Sequence, residues 1–163
     1  MNKTVNGVTY QIEKLLGHGK GGYSYLAMGP NGYVVLKAIH HEPCDYYAFG
    51  NKIEAELHDY QRLKDAGITI PQLIDADKEQ EIIIKEYIEG ATIDELIKRG
   101  EDISLYIPQV KAMSELAKKA GLNIDYYPTN FIPRNGKLYY IDYECNEYSE
   151  EWSFETWGKQ YWS

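Results

Sequence analysis

The stretch Leu15–Ala27, "LLGHGKGGYSYLA", contains four glycines within six residues. Three of them, Gly17, Gly19 and Gly22, are spaced as G-x-G-x-x-G. Such a loop either holds a phosphate with its backbone amides or forms the flexible tip of a hairpin. The spacing alone does not separate the two, so the neighbouring residues have to decide.

The segments on both sides of the loop predict strands. Val8–Leu16 and Ser24–Met28 are rich in β-forming residues, and the turn signal Gly29–Gly32 leads to a third apolar segment, Tyr33–Ile39. These segments predict an antiparallel meander. In dinucleotide-binding folds the glycines lead into a helix, and the P-loop needs Gly-Lys followed by Ser or Thr. A strand follows Gly22 and the loop lysine is followed by glycine, so both kinds of site are excluded.

The length, charge and cysteine content of the chain limit its possible size class, binding partners and cellular location. The chain has 163 residues, enough for one domain or two small lobes, and a net charge of −8 that opposes binding to nucleic acids and anionic membranes. Cys44 and Cys145 form no metal-binding pattern, which indicates reduced thiols. The N-terminal sequence lacks a signal-peptide core and no segment approaches the length of a membrane span. We therefore expect a cytoplasmic protein.

The remainder of the chain predicts helices, a buried strand and a second hairpin. Helical patterns cover Asn51–Gly67 and about 104–120, and a shorter helix begins at a capping box formed by Thr92 and Glu95. The stretch 81–90 predicts a buried strand, and Asn-Gly at 135–136 predicts a tight turn. The predicted class is therefore α+β.

Lys37 ends the apolar run V-V-L-K on the third strand. A lysine there either pairs with a buried anion or extends its ammonium group to the surface. The helix that follows offers Glu54 and Glu56 as partners. Glu56 borders the apolar face, since it lies three residues after Ile53 and four before Tyr60. If one of these two acids pairs with Lys37, we therefore expect it to be Glu56.

Three polar residues near the end of the chain suggest acid–base and metal chemistry. Asp125 and Asn130 share a loop that also contains Pro128, and Asp142 follows the hydrophobic stretch of the second hairpin. On a rigid loop, Asp and Asn can serve as proton acceptor and divalent-metal ligand. The alternative is that these side chains bond their own backbone in turns.

The order of these motifs resembles the protein-kinase-like superfamily. "EYIEG" (Glu86–Gly90) resembles the hinge of the RIO- and KEOPS-type small atypical kinases, and "IDYE" (Ile141–Glu144) resembles I-D-F-[GE] of those kinases and of aminoglycoside and choline phosphotransferases. The resemblance implies a two-lobed α+β fold. Residues 1–86 would form an antiparallel β N-lobe with one helix, and residues 87–163 a truncated, mainly helical C-lobe.

The resemblance also implies that the chain binds ATP. Amides of the glycine loop would cover the phosphates, a lysine would bind the α- and β-phosphates, and hinge backbone groups would meet the adenine. The implied ATP-binding residues are Gly17, Gly19, Gly22, Lys37, Glu86, Tyr87 and Ile88.

The implied catalytic residues are Asp125, which would orient and deprotonate the acceptor hydroxyl, and Lys37 paired with Glu56. Asn130 and Asp142 would hold Mg²⁺. This set is sufficient in principle because phosphoryl transfer depends mainly on positioning and charge neutralisation.

The implied activity is ATP- and Mg²⁺-dependent transfer of the γ-phosphoryl group to a hydroxyl. The leading form of this hypothesis is an atypical serine/threonine protein kinase. Asn123 replaces the usual histidine, Glu144 the usual glycine, and only 21 residues follow Asp142, without an activation segment. A kinase for a small amino sugar or amino alcohol is therefore an alternative, and a pseudokinase acting as a nucleotide-binding interaction module is another. A protein partner could complete the short C-lobe.

The final segment combines acids with aromatic residues. Its acids could attract a cationic substrate, as in aminoglycoside kinases, or form a solvated face. Its aromatic residues could pack on the C-lobe or form a contact patch. The acids are Glu144, Glu147, Glu150, Glu151 and Glu155, and the aromatic residues are Trp152, Phe154, Trp157 and Trp162.

Overall fold

The computed structural model describes residues 1–18, 22–40 and 51–163, so Gly19 and Cys44 lie outside the described residues. The chain divides into two compact units. The sequence interpretation keeps residues 1–86 together, whereas this division assigns 58–71 to the second unit. The first unit is Met1–Leu57 with Gln72–Tyr87, and the second is His58–Pro71 with Ile88–Ser163.

The first unit contains an antiparallel sheet of six strands in the order β1-β2-β3-β4-β6-β5. Alternate residues of neighbouring strands form its apolar core, among them Val34, Leu36, Ile82 and Ile84, of which Leu36 and Ile84 lie directly opposite each other. The start of helix α1 belongs to this unit, and the helix continues into the second. The elements are β1 (Asn2–Val5), β2 (Val8–His18), β3 (Gly22–Gly29), β4 (Gly32–Ile39), α1 (Lys52–Ala66), β5 (Leu73–Asp77) and β6 (Ile82–Glu86).

The predicted meander is confirmed, and the structure adds the strand β1, which the sequence analysis did not predict. β1 pairs with β2 through a turn at Asn6 and Gly7, whose φ angles of 47° and 82° are both positive. Asn-Gly is the preferred dipeptide for such a turn because both residues tolerate the left-handed conformation. The Asn-Gly dipeptide is therefore the sequence signal from which strand β1 could have been predicted.

The two described glycines of the glycine motif have different surroundings. A Cβ atom on Gly22 would lie 2.3 Å from the carbonyl oxygen of Ala38 on β4, which is far inside contact distance. A Cβ atom on Gly17 would have no atom of the described residues within 4 Å. The close approach of β3 to β4 therefore requires glycine at position 22 but not at position 17.

The second unit combines helices with two short antiparallel sheets, β8–β9 and β7–β10. The capping box of Thr92 and Glu95 is confirmed, as is the turn at Asn135 and Gly136, whose φ angles are 53° and 78°. No helix in the described ranges combines the length and the apolar character that crossing a bilayer requires. The elements are α2 (Ile93–Lys98), α3 (Ile107–Lys119), β7 (Leu122–Asn123), β8 (Phe131–Arg134), β9 (Lys137–Tyr140) and β10 (Asn146–Glu147).

Helix α3 begins three residues later than the predicted start at Ser104. Pro108 occupies its first turn, where the missing amide costs nothing because the first amides of a helix have no partner within it. Residues from α3, β8 and β9 join one buried cluster, which also contains the free thiol of Cys145. The predicted α+β class is confirmed.

The C-terminal segment packs into this cluster. Phe154 and Trp162 are 1% and 3% exposed, and the Trp162 indole donates a 2.8 Å hydrogen bond from Nε1 to the carbonyl oxygen of Tyr126. Two short 3-10 turns, Glu150–Trp152 and Gly158–Tyr161, bring these aromatic side chains inward. Packing is thus the outcome for Phe154 and Trp162, and the half-buried Trp157 packs against the same cluster.

Replacing Gly158 by alanine should destabilise the second unit. The new Cβ would lie 2.6 Å from the Cβ of Tyr126 and 3.1 Å from Cδ1 of Phe154, so packed groups would have to move. We expect the free energy of unfolding, measured with urea, to fall by about 1–3 kcal/mol. Gly17→Ala is the matched control because its Cβ would enter open space. Equal stability of the two variants would contradict this account of the packing.

Candidate active site

Lys37 and Glu56 form an ion pair within the first unit. The Nζ atom of Lys37 lies 2.6 Å from Oε1 of Glu56, and the two side chains are only 14% and 10% exposed. Glu54, by contrast, pairs with Lys78 at the surface. Lys37 therefore pairs with Glu56 and not with Glu54, as the sequence predicted.

The second carboxylate oxygen of Glu56 is buried without a hydrogen-bond partner in the described part of the chain. A buried polar atom in this state costs about 1–3 kcal/mol. Native proteins contain few such atoms, and those they keep often belong to catalytic or ion-binding sites. Packing alone therefore does not explain why Glu56 keeps one carboxylate oxygen buried without a hydrogen-bond partner among the described residues.

The three predicted hinge residues lie where the chain passes from one unit to the next. Glu86 ends β6, and its amide donates a 2.9 Å hydrogen bond to the carbonyl oxygen of Gln72. Its side-chain Oε1 accepts from the amide of Gln72 at 3.1 Å. Adenine recognition through the amide of Glu86 is therefore disfavoured. A role for the Glu86 carbonyl and for Tyr87 and Ile88 stays a prediction.

Asp125 and Asn130 belong to a tightly hydrogen-bonded loop of the second unit. Oδ1 of Asp125 accepts from the amide of Tyr127 at 3.1 Å, and Nδ2 of Asn130 donates to the carbonyl oxygen of Asp125 at 3.3 Å. The turn alternative raised from the sequence is therefore present. It is compatible with a functional role, since these two bonds use neither Oδ2 of Asp125 nor Oδ1 of Asn130.

Asn130 and Asp142 are brought together by the hairpin of β8 and β9. The amide of Ile141 donates a 2.9 Å hydrogen bond to the carbonyl oxygen of Asn130, and Phe131 is paired with Tyr140. The two candidate metal ligands therefore flank the same end of the hairpin. No set of three or more His, Cys, Asp or Glu side chains suited to a metal occurs within residues 1–18, 22–40 and 51–163.

A hollow of about 530 Å³ opens beside Asp125 within the second unit. Glu144 and Glu147 contribute carboxylates to its lining, and Trp152 and Trp157 contribute indole rings. Four of the five acids of the C-terminal segment therefore divide into two groups. Those at 144 and 147 line the hollow, whereas Glu150 accepts hydrogen bonds from Tyr148 and Thr156, and Glu155 pairs with Lys159.

Comparison with known proteins gives three informative matches. The KEOPS complex subunit Bud32 of Pyrococcus abyssi is 28% identical over 93 residues, which is 55% of this chain and 42% of that protein. A protein of Clostridium acetobutylicum named "Probable serine/threonine-protein kinase" is 27% identical over 165 residues, 96% of this chain and 25% of its own length. These relatives support the resemblance of the chain to the protein-kinase-like superfamily.

A third relative is named "Probable bifunctional tRNA threonylcarbamoyladenosine biosynthesis protein", from Methanobrevibacter smithii. It is 33% identical over 102 residues, 61% of this chain and 17% of that protein. No protein-family model matches the chain. The chain spans less than half the length of each of these relatives.

Tyr140, which no sequence pattern singled out, connects the loop of Asp125 to Glu144. Its fully buried hydroxyl accepts from the amide of Asp125 at 3.2 Å and donates to the carbonyl oxygen of Glu144 at 2.8 Å. Burial, and next the charge of Asp142, hold the pKa of this hydroxyl well above its usual range, so it stays a donor. The alternation of the strand predicts a buried Tyr140, but no sequence signal predicts its partners.

Proposed function

We propose that the chain is an ATP-dependent phosphotransferase that transfers the γ-phosphoryl group of ATP to a hydroxyl. The observation that carries the proposal is the ion pair of Lys37 and Glu56, which is largely shielded from solvent and joins Nζ to Oε1 at 2.6 Å. In kinases, a lysine that lies on a strand and pairs with a glutamate on a helix binds the α- and β-phosphates. Gly17, Gly19 and Gly22 would cover the phosphates, and Glu86, Tyr87 and Ile88 would meet the adenine.

The described residues also fit a magnesium ion. Asn130 and Asp142 offer an amide oxygen and a carboxylate, and hard oxygen donors of this kind suit Mg²⁺, which commonly takes one or two protein ligands together with phosphates and water. When bound, the ion would neutralise charge on the phosphates. Asp125 would accept the proton of the acceptor hydroxyl and orient its oxygen.

Two acceptor classes are open within this proposal. The name of the clostridial relative favours serine or threonine of a protein. The acidic, indole-lined hollow favours a small amino sugar or amino alcohol. A protein partner of the second unit is compatible with the first class. ATP as the donor and the free thiol of Cys145 support a cytoplasmic location.

The proposal is tested by ATP binding and transfer in the wild type and in Lys37→Met. At ATP·Mg²⁺ concentrations a hundredfold above its dissociation constant, binding should stabilise the wild type by about 2.7 kcal/mol, which raises the melting temperature by roughly 5–10 °C. The variant should lose most of this shift, because the phosphates lose their cation. Transfer of labelled phosphate should fall at least about a hundredfold.

Lys3→Met is the matched control, since Lys3 is an exposed residue of the edge strand β1. Its ATP-induced shift and its transfer rate should match those of the wild type. Absence of a thermal shift in the wild type would contradict the proposal. An ATP-induced thermal shift without transfer to proteins or to small alcohols would indicate a nucleotide-binding interaction module and not an enzyme.

A further inference from the structure

We propose that Tyr140 is a positioning residue, whose buried hydroxyl fixes the loop of Asp125 relative to the segment that carries Asp142. The proposal rests on the proposed function, because it assigns to Tyr140 the alignment of the candidate base with a candidate magnesium ligand. It depends on the two hydrogen bonds of the hydroxyl and on the way in which the backbone around Asp142 is held.

The hydroxyl of Tyr140 joins two backbone segments. It accepts a hydrogen bond from the amide of Asp125 at 3.2 Å and donates one to the carbonyl oxygen of Glu144 at 2.8 Å. Tyr140 lies two residues before Asp142 and Glu144 lies two residues after it, so the second bond closes a short loop around this carboxylate. One hydroxyl therefore contacts the backbone of the candidate base and closes the loop that contains the candidate metal ligand.

Regular secondary structure does not hold Asp142 in place. Strand β9 ends at Tyr140 and β10 begins at Asn146, and residues 141–145 belong to no helix or strand. Asp125 likewise lies in a loop that follows β7. The relation between the two carboxylates therefore depends on individual hydrogen bonds and not on a ladder between strands.

Tyr140 can be changed without changing a candidate ligand. Asn130 also links the two segments, since its side chain donates to the carbonyl oxygen of Asp125 at 3.3 Å and its own carbonyl oxygen accepts from the amide of Ile141 at 2.9 Å. Asn130 is itself a candidate magnesium ligand, so a substitution there alters two properties at once. Tyr140→Phe removes the hydroxyl and keeps the ring, whose centroid lies 5.2 Å from that of Phe131.

Two anchors that do not involve the Tyr140 hydroxyl should keep this segment folded in the variant. The backbone amide of Tyr140 donates to the carbonyl oxygen of Thr69 at 2.9 Å, and the buried hydroxyl of Tyr143 donates to the carbonyl oxygen of Pro71. All four residues belong to the second unit. Loss of the Tyr140 hydroxyl is therefore expected to loosen the relation between the two carboxylates and not to unfold the segment.

A small displacement between the two carboxylates has a large effect on transfer. Phosphoryl transfer depends on positioning, and a misplacement of about 1 Å can lower a rate about a hundredfold. Groups that orient metal ligands contribute about 10–100-fold to metal affinity or activity. A tyrosine hydroxyl with a structural role alone would affect stability, but neither the rate of the folded enzyme nor its metal requirement.

Gln109→Met is the matched control for Tyr140→Phe. The side chain of Gln109 accepts from the amide of Leu138 at 2.8 Å and donates to the carbonyl oxygen of Gly136 at 2.9 Å, which repeats the bonding pattern of the Tyr140 hydroxyl. These bonds lie near the turn of the hairpin, whereas Asp142 follows its other end. We expect each variant to lower the melting temperature by about 2–8 °C. An unfolded Tyr140→Phe would assign the hydroxyl a structural role and overturn the proposal.

The first experiment measures hydrogen exchange of single backbone amides by nuclear magnetic resonance, without nucleotide. In Tyr140→Phe, the amide of Asp125 should exchange at least about tenfold faster than in the wild type, and the amide of Leu138 should exchange at the wild-type rate. Gln109→Met should show the reverse. An unchanged exchange rate of the Asp125 amide in Tyr140→Phe overturns the proposal, whether or not the protein transfers phosphate.

The second experiment measures single-turnover cleavage of ATP, with water and a serine peptide as acceptors, and the binding of Mn²⁺ to the ADP complex by electron paramagnetic resonance. Mn²⁺ takes the same oxygen ligands as Mg²⁺. In Tyr140→Phe, we expect the cleavage rate to fall at least about tenfold and the Mn²⁺ dissociation constant to rise about fivefold or more. The KM for ATP at saturating Mg²⁺ should stay within about twofold of the wild type. Gln109→Met should stay within about twofold of the wild type in all three quantities.

The outcomes separate this proposal from the proposed function. If the wild type cleaves ATP and Tyr140→Phe has the cleavage rate or the Mn²⁺ affinity of Gln109→Met, only the positioning role fails. If the wild type neither binds nor cleaves ATP, the proposed function fails and the positioning role fails with it. Faster exchange of the Asp125 amide would then indicate a structural bond alone.

Discussion

Replacing Asp125 by asparagine is expected to lower the rate of phosphoryl transfer by about 10²–10⁴-fold, because the candidate base loses its ability to accept a proton. Asparagine keeps the Oδ1 atom that accepts from the amide of Tyr127, so the loop should keep its shape. ATP binding should change little, since Asp125 is not among the proposed ATP ligands. The measurement is single-turnover transfer of labelled phosphate, with ATP affinity followed separately by thermal shift.

Asp102→Asn is a closely matched control for this variant. Oδ1 of Asp102 accepts from the amide of Ser104 at 2.9 Å, which repeats the local geometry of Asp125 and Tyr127 in the same unit. This variant should transfer phosphate at the wild-type rate. A similar rate in Asp125→Asn would remove Asp125 from the chemistry and leave it a turn residue alone.

Trp162→Ala is expected to lower the free energy of unfolding by about 3–5 kcal/mol, the largest stability effect we predict. The indole is 3% exposed and meets the rings of Phe131 and Phe154 edge to face, with centroids 5.1 and 6.0 Å away. The substitution also removes the donor to the carbonyl oxygen of Tyr126. Urea unfolding followed by far-ultraviolet circular dichroism measures the change.

Two further variants separate the contributions to this effect. Trp162→Phe retains a ring but lacks the indole donor, so it should lose less stability than Trp162→Ala. Trp152→Ala removes an indole that is 51% exposed and should cost about 1 kcal/mol or less. If Trp162→Ala proves no more destabilising than Trp152→Ala, the C-terminal segment does not stabilise the second unit as the structure indicates.

Local signals predicted much of the fold because their physical causes are local. The capping box at Thr92 and Glu95 and the turn at Asn135 and Gly136 depend on residues within a few positions of one another. The preference of Lys37 for Glu56 followed from helical geometry, which sets the face on which each acid lies. Strand β1, which was not predicted, also has a local signal in the sequence, the Asn-Gly turn at Asn6 and Gly7.

The unpredicted part of the site depends on contacts between distant parts of the chain. The hydroxyl of Tyr140 reaches the amide of Asp125, fifteen positions earlier, and no local pattern specifies such a bond. The hollow likewise requires Trp152 and Trp157 to pack near the loop of Asp125. The sequence indicated that these residues were unusual, but only packing decides which acids and which indoles share a surface.

The different surroundings of Gly22 and Gly17 have a consequence for evolution. A side chain at position 22 would meet the backbone of β4, so selection for a folded sheet alone is enough to retain that glycine. At position 17 the described residues leave room for a side chain, so the reason that we propose for glycine there is a ligand approaching the backbone. In descendants that lose the proposed nucleotide binding, we therefore expect Gly17 to be replaced first while Gly22 persists.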